Sequence, residues 1–142
     1  MTSLTLSGVH HLTLPVSDLE EAMKWYALVF GARRRARFDH HDEGGMLFAV
    51  VVELPGLSTM VELRLAPETA RAVAGYNPVT FGVADRDALD GWVAHLDACT
   101  IAHSGVRRRR IGESVDFVSP DGLALRLYTD PMSALDDVEF SE

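Results

Sequence analysis

Hydrophobic and polar residues alternate along the start of the chain and then change to a helical period. In Val9–Val16 the even positions are mostly apolar and the odd positions include the polar His11, a period of two that is typical of a half-buried strand. Apolar residues then recur at helical spacing. Ser17 and Glu20 match a capping box at the helix start, and Gly31 matches a C-terminal stop. The pattern predicts a strand that leads directly into a helix.

The same strand–helix pattern occurs a second time. Asn77–Leu96 aligns without a gap with the chain from His10 onward, which places Thr80 on Thr13. Repetition within a chain indicates repeated structural units. We therefore expect two similar halves.

Short strand patterns separated by turn residues complete each half. In the first half they are strands at Ala32–Phe38, Met46–Leu54 and Thr59–Leu65, with a polar turn at Asp39–Gly45 and a short helix near Glu68–Gly75. In the second half they are a strand at Val79–Val83, a helix at Asp87–Ala98, and strands at Val106–Ile111, Ser114–Val118 and Leu123–Tyr128. Each half is predicted to be βαβββ, in an α+β fold. We expect one domain over residues 1–130, with modules at 8–66 and 77–130, followed by an acidic tail at 131–142.

The charge distribution excludes nucleic acid as a partner and leaves the role of two arginine clusters open. With 142 residues and a net charge of -8, the chain lacks the cationic surface that nucleic acid requires. Arginines nevertheless cluster at Arg33–Arg37 and Arg107–Arg110. Each cluster is either a solvated segment or an anion-facing patch.

Cysteine and hydropathy patterns favour a cytoplasmic protein. Cys99 is the only cysteine, which excludes an intramolecular disulfide and a cysteine-based metal site. No apolar run approaches the ~18 residues of a membrane span, and no signal sequence begins the chain. We expect no membrane partner.

Several motifs together resemble one superfamily. They are His-x-x-x-x-Val-Ser-Asp-Leu from His11, Trp-Tyr at Trp25, Phe-Gly at Phe30, and Ser-Pro-Asp-Gly from Ser119. A duplicated βαβββ chain with these motifs resembles the vicinal oxygen chelate superfamily, which includes glyoxalase I, bleomycin-resistance proteins and extradiol dioxygenases. The resemblance implies curved mixed sheets around a central cup, a small-molecule ligand and a homodimer. It says little about reaction, because one fold hosts many activities.

The resemblance also implies a set of metal ligands, of which this chain keeps half. Metal-using members bind a divalent ion through two His and two carboxylates or amides from the first and last strands of each half. By resemblance, His11 and Glu62 occupy the first-half positions, whereas Pro78 and Arg126 occupy the second-half positions. His11 and Glu62 are therefore weak metal and catalytic candidates, with His40, His41 and His103 as further donors from loops. We expect no cofactor.

Two registers are open for the charged strand of the first half. In one, Glu62 corresponds to Arg126; in the other, Glu62–Leu65 aligns with Ala124–Leu127 and Arg64 corresponds to Arg126. In either register a buried Glu62 needs a cationic partner, and we hypothesise an ion pair between Glu62 and Arg126.

A ligand site is expected on the concave face of the cup. The alternative is that side chains fill the cup completely and leave no cavity. Few polar groups among apolar walls are typical of small-molecule pockets. The candidate ligand-binding residues are His11, Thr13, Phe48, Glu62, Arg64, Thr80, Ser114, Asp116, Arg126 and Tyr128. His10, on the opposite strand face, is expected in the core.

Two functions are consistent with the resemblance and with the residues at the expected site. The first is a metal-independent binding protein of the bleomycin-resistance type, which holds a small organic molecule in a cup that has lost its metal site. The alternative is a metal-dependent lyase, isomerase or dioxygenase of the same superfamily. The acidic surface favours a cationic ligand and the arginines favour an anionic group, so the sequence does not name the ligand.

Overall fold

The computed structural model describes residues 3–129, so the predicted acidic tail at 131–142 lies outside the described residues. The chain divides into two compact units, residues 1–72 and 73–142, and each contains one predicted module. The first unit contains β1 (His11–Val16), α1 (Leu19–Phe30), β2 (Arg33–Arg34), a 3-10 turn (Ala36–Phe38), β3 (His40–His41), β4 (Leu47–Glu53), β5 (Met60–Leu65) and α2 (Pro67–Ala72). The second unit contains β6 (Thr80–Val83), α3 (Arg86–Ala98), β7 (Arg107–Arg108), β8 (Glu113–Val118) and β9 (Ala124–Thr129).

Each unit contains one mixed sheet, and the two sheets have the same topology. The order is β1-β5-β4-β2 in the first unit, with β3 added beside β4, and β6-β9-β8-β7 in the second. In each unit the first strand pairs in parallel with the last strand, while the neighbouring pairs are antiparallel. The prediction of an α+β fold with duplicated βαβββ modules is confirmed.

The pairing registers show which residues of the two units are equivalent. Thr13 lies opposite Glu62 in the first sheet, and Thr80 lies opposite Arg126 in the second. Because Thr13 and Thr80 occupy the same place in the repeat, Glu62 corresponds to Arg126. The alternative register, with Arg64 corresponding to Arg126, is wrong.

An aspartate immediately before the first residue caps each of the two long helices. The Asp18 carboxylate accepts a hydrogen bond of 2.9 Å from the backbone N–H of Glu21, and the Asp85 carboxylate accepts one of 2.8 Å from that of Ala88. Asp18, rather than the predicted capping box at Ser17, therefore caps α1, because its carboxylate oxygen reaches the third N–H of the helix. Within residues 3–129, no helix is both long and apolar enough to cross a membrane.

Each sheet buries the apolar face that the alternation predicted. The largest fully buried side chains are Tyr26, Leu14, Leu63, Val16, Val29, Val50 and Val52 in the first unit and Leu89, Leu96, Leu123, Leu125 and Leu127 in the second. They come from the helical stripes and from alternate strand positions, so each unit has its own apolar layer between helix and sheet.

Two predicted strands are shorter than expected, and one strand was not expected. Residues 32–38 form β2 and a 3-10 turn instead of a continuous strand. Within the predicted polar turn, His40 and His41 form β3 because β4 offers them a partner strand. In the second unit the predicted strand Val106–Ile111 ends early, since the Arg109 N–H donates to the carbonyl of Gly112 at 2.7 Å and closes a turn.

Substituting alanine for two glycines should have opposite effects on stability. At Gly112 a Cβ would lie 2.5 Å from Thr129 Oγ1 and 2.9 Å from the Tyr128 ring, so Gly112→Ala should lower the free energy of unfolding by about 1–3 kcal/mol. Gly91 lies inside α3, where an added Cβ would meet nothing within 4 Å, so Gly91→Ala should raise it by about 0.5–1 kcal/mol. Urea denaturation measures both, and equal effects would contradict the packing at Gly112.

Candidate functional site

A cavity of about 240 Å³ lies in the first unit and is lined by residues of β1, β3, β4 and β5 and of the segments beside them. Its lining residues are His10, His11, Phe38, His40, Val51, Met60 and Glu62. Phe38, Val51 and Met60 supply apolar walls, and the histidines and Glu62 supply the polar groups. A mostly apolar cavity with a few convergent polar groups has the character of a small-molecule site.

Glu62 is a buried carboxylate at this cavity, with an arginine as its partner. Only 3% of the residue is exposed, and its Oε2 accepts a hydrogen bond of 2.7 Å from Arg64 Nε. Both residues lie on β5 two positions apart, so strand alternation directs them to the same face. The guanidinium compensates the charge that burial would otherwise make costly.

The other oxygen of Glu62 faces two imidazoles. Its Oε1 lies 3.6 Å from His40 Nδ1 and 4.0 Å from His11 Nε2. Both separations exceed an ordinary hydrogen bond, so neither ring holds this oxygen tightly. A donor group of a ligand therefore has an acceptor here, with two imidazole nitrogens beside it.

His10 lies at the cavity and not in the core, so that expectation is wrong. It is exposed, and its Nδ1 lies 3.0 Å from Nδ1 of His11. Such a contact requires one ring to donate and the other to accept. The alternation of apolar and polar residues predicted the wrong side for His10, because His10 precedes the first residue of β1 and does not follow the strand period.

Two other predicted ligand residues occupy different positions around the site. Thr13 lies on the same face as Glu62, directly opposite it across the β1–β5 pair. Phe48 is absent from the cavity lining: its ring centroid lies 5.7 Å from that of His40 and 5.4 Å from the Arg64 guanidinium carbon. Phe48 therefore packs against two site residues and does not form a wall of the cavity.

In the second unit, three arginines surround one carboxylate. Arg126 Nε donates to Asp116 at 2.6 Å, Arg109 Nη2 donates to it at 3.0 Å, and Arg107 Nη1 lies 3.6 Å away. The hydrogen bond to Asp116 is the main reason that the pKa of Arg126 is raised. Buried Ser114 accepts a further bond of 2.7 Å from Arg109 Nε. The face carries an excess of positive charge.

The structure brings together the predicted ligand residues of the second unit. Thr80 lies opposite Arg126, which lies opposite Asp116, and Ser114 lies opposite Tyr128. Since residues opposite one another share a sheet face, these five side chains form one polar surface on β6, β9 and β8.

Glu62 and Arg126 each have a charged partner within their own unit. Glu62 is bonded to Arg64, and Arg126 is bonded to Asp116. Each of these partners lies on the same strand or on the neighbouring one, and the hypothesised Glu62–Arg126 ion pair stays a prediction.

Sequence reasoning missed three residues that line the cavity: Phe38, Val51 and Met60. Met60 could have been found, because it lies two positions before Glu62 on the same strand. His40 was considered as a loop donor, but a two-residue strand has no period that would place it. His103, another expected donor, lies in the second unit, where its Nε2 is 2.7 Å from Asp97 Oδ1 and its Nδ1 accepts from the Gly105 N–H.

Comparison with known proteins agrees with this architecture. A family model described as the Glyoxalase/Bleomycin resistance protein/Dioxygenase superfamily matches residues 8–131. The chain belongs to this superfamily. The resemblance inferred from the motifs is thus confirmed.

Solved structures of the superfamily share the fold. A member from Sphaerobacter thermophilus is 26% identical, with a TM-score of 0.71 over 89% of this chain and 100% of that one. TnmS3, an antibiotic binding protein from Streptomyces, is 23% identical, with a TM-score of 0.70 over 89% and 98%. The fosfomycin resistance protein FosX from Listeria monocytogenes is 17% identical, with a TM-score of 0.72 over 95% and 100%.

Two of the four positions of the metal set implied by the superfamily carry Pro78 and Arg126, whose side chains do not bind metal cations. Among residues 3–129, no group of three or more His, Cys, Asp and Glu side chains is placed to hold a metal ion. One oxygen of Glu62 is bonded to Arg64, and the equivalent position in the second unit carries the permanent cation Arg126. Coordination by Glu62 would require it to share or release its guanidinium.

Proposed function

We propose that this superfamily member binds a small organic molecule in the cavity of the first unit without using a metal ion. The observation that carries the proposal is the bond from Arg64 to Glu62, the buried carboxylate of the cavity lining. In that pair the carboxylate is already neutralised, so no metal cation is needed to compensate it. The fold shared with an antibiotic binding protein of Streptomyces supports a binding role.

The cavity favours a ligand with an apolar body and one hydrogen-bond donor. The body would lie against Phe38, Val51 and Met60, and the donor would reach Glu62 Oε1. Glu62 Oε1 lies 3.6 Å and 4.0 Å from the nearest imidazole nitrogens, too far for a short hydrogen bond. A hydroxyl or amine of the ligand would donate a short hydrogen bond to this oxygen. The binding energy would come from apolar burial, and the single polar contact would fix the orientation.

A metal-dependent lyase, isomerase or dioxygenase is the second candidate, because His11 and His40 both face Glu62. The same three groups could alternatively supply acid–base catalysis, with His11 and Glu62 as catalytic residues.

A homodimer, inferred from the resemblance, also stays a prediction. Sedimentation velocity measures the oligomeric state.

Metal titration separates the two candidates. Chelator-stripped protein is titrated with zinc, nickel, manganese, cobalt and ferrous ions in a calorimeter, and we expect no stoichiometric binding. Tight binding at one ion per site that is lost in both His11→Ala and Glu62→Ala would contradict the proposal and restore the metalloenzyme.

A ligand screen tests the site itself. Compounds that raise the unfolding temperature should bind at least about tenfold more weakly to Glu62→Gln, because the amide replaces one acceptor oxygen with a donor group. Glu53→Gln is the matched control, since Glu53 lies on β4 beside Arg33 and Arg35 and outside the cavity lining. Equal weakening by both variants would place binding elsewhere.

A further inference from the structure

An exposed apolar arm, residues 3–9, precedes the first strand of the first unit. Leu4 and Leu6 keep 100% and 94% of their surface accessible to water, and Val9, at the base of the arm, is 63% exposed. The arm contains no charged side chain. A single exposed leucine is ordinary, but three large apolar side chains on one short segment form a surface that gains free energy when it is covered.

The arm begins at the edge of the first-unit cavity. His10, the residue that follows the arm, and His11 both line this cavity. The carbonyl of Val9 accepts a long hydrogen bond of 3.5 Å from Thr59 Oγ1, and Thr59 directly precedes the lining residue Met60. The base of the arm is therefore held beside the site, and the rest of the arm extends into water from that point.

Gly8 sets the direction of the arm and allows it to change. Its φ is +116°, in a region that L side chains rarely adopt, and a Cβ added there would meet no atom within 4 Å. Glycine populates positive and negative φ about equally readily, and the space beside this Cα is empty. The segment before Gly8 can therefore rotate about this residue while β1 stays in place.

The length and chemistry of the arm match the cavity. A cavity of about 240 Å³ has the volume of a sphere about 8 Å across, and an extended chain advances about 3.3 Å per residue. Leu6 thus lies about 7 Å from Gly8 along an extended arm, and Leu4 lies about 13 Å from it. The lining offers apolar surface to cover, since Phe38 is 40% exposed and Met60 is half-buried.

We propose that the arm folds over the cavity when a small molecule is bound there, so that Leu4 and Leu6 form the outer wall of the site. This inference rests on the proposed function of the first-unit cavity. The two leucines would be buried against the apolar body of the bound molecule and would slow its release.

Binding of N-phenyl-1-naphthylamine tests the inference. This molecule has an apolar body and one N–H donor, and its fluorescence rises in apolar surroundings. We expect Leu4→Ser/Leu6→Ser to bind it at least about tenfold more weakly than the natural protein, because the bound molecule loses its outer apolar wall. Leu28→Ser/Val118→Ser is the matched control, since it removes two exposed apolar side chains outside the cavity lining, and it should leave the affinity unchanged. Equal weakening by both variants overturns the inference.

Hydrogen exchange reports whether the arm closes. The backbone amides of residues 4–8 should exchange several-fold more slowly when the naphthylamine is saturating, because a closed arm is shielded from water. Exchange at the same rate with and without the naphthylamine overturns the inference. Since both leucines are exposed, urea denaturation should show that Leu4→Ser/Leu6→Ser is as stable as the natural protein.

Glu62→Gln separates failure of this inference from failure of the proposed function. If Glu62→Gln weakens naphthylamine binding and the leucine variant does not, the cavity binds without the arm and only the inference is overturned. If the natural protein does not bind the naphthylamine, or if Glu62→Gln leaves binding unchanged, the proposed function fails and the inference fails with it. If the leucine variant instead dissociates a dimer in sedimentation velocity, the arm contacts a second copy of the chain, which also overturns the inference.

Discussion

Arg64→Ala is expected to lower the free energy of unfolding by about 1–3 kcal/mol, although nearly half of the Arg64 side chain is exposed. The loss comes from the partner and not from the arginine, because the variant leaves the Glu62 carboxylate buried without the guanidinium at 2.7 Å. A buried charge that loses its partner costs much more than an exposed one. Urea denaturation at neutral pH measures the change.

A double variant isolates this cause. Glu62→Gln removes the charge that needs compensation, so Arg64→Ala should cost much less in a Glu62→Gln background than in the natural protein. Arg33→Ala is the matched control, since the one ion pair of the Arg33 side chain within residues 3–129 is an exposed contact of 3.9 Å to Glu53, and the variant should change stability by less than about 0.5 kcal/mol. If Arg64→Ala costs no more than this control, Glu62 does not depend on Arg64 and the argument for a metal-independent cavity loses its basis.

Leu127→Ala is expected to lower the free energy of unfolding by about 2–5 kcal/mol, because Leu127 lies fully buried on β9 and the truncation leaves a cavity. Leu63→Ala, at the equivalent position on β5, should cost a similar amount in the first unit. These two variants also test the proposal that residues 1–130 form one domain. In a single cooperative domain, each variant should shift the unfolding of both units.

The two tryptophans make that test direct. Trp25 lies on α1 in the first unit and Trp92 on α3 in the second, so Trp25→Phe and Trp92→Phe backgrounds report the two units separately by fluorescence. We expect Leu127→Ala to move both transitions to the same lower urea concentration. A shift confined to Trp92 would show that the units unfold independently and would contradict the single domain.

The fold could be predicted because its signals are local. The alternation in β1, the apolar stripe of α1 and the repeat that places Thr80 on Thr13 depend only on spacing along the chain. β3 could not be predicted in the same way, because two residues form a strand only when a neighbouring strand supplies their hydrogen bonds. The helix cap was missed for a similar reason: Ser17 and Asp18 are both good caps, and the local backbone decides between them.

The candidate site was predicted in composition but not in pairing. The sequence placed Glu62 and Arg64 on one strand face, but it did not show that they bond to each other, because a second arginine of the same type, Arg126, was also a candidate partner. Likewise, Asp116 and Arg126 were both expected at the site, but their bond depends on the β8–β9 register. The sequence predicts which charged residues lie at the site. Which arginine bonds to which carboxylate depends on how the strands pair in the sheet.

The pairing of first and last strands has a consequence for synthesis on the ribosome. In each unit the strand that is made first is hydrogen-bonded to the strand that is made last, as His11 opposite Met60 and Thr80 opposite Arg126 show. β1 must therefore wait for nearly the whole of its unit to leave the exit tunnel before it gains its neighbour. The first sheet can close once Leu65 has emerged, while β6 waits for the very end of the second sheet. During translation, the second unit is thus the last to protect its strand edges from other chains.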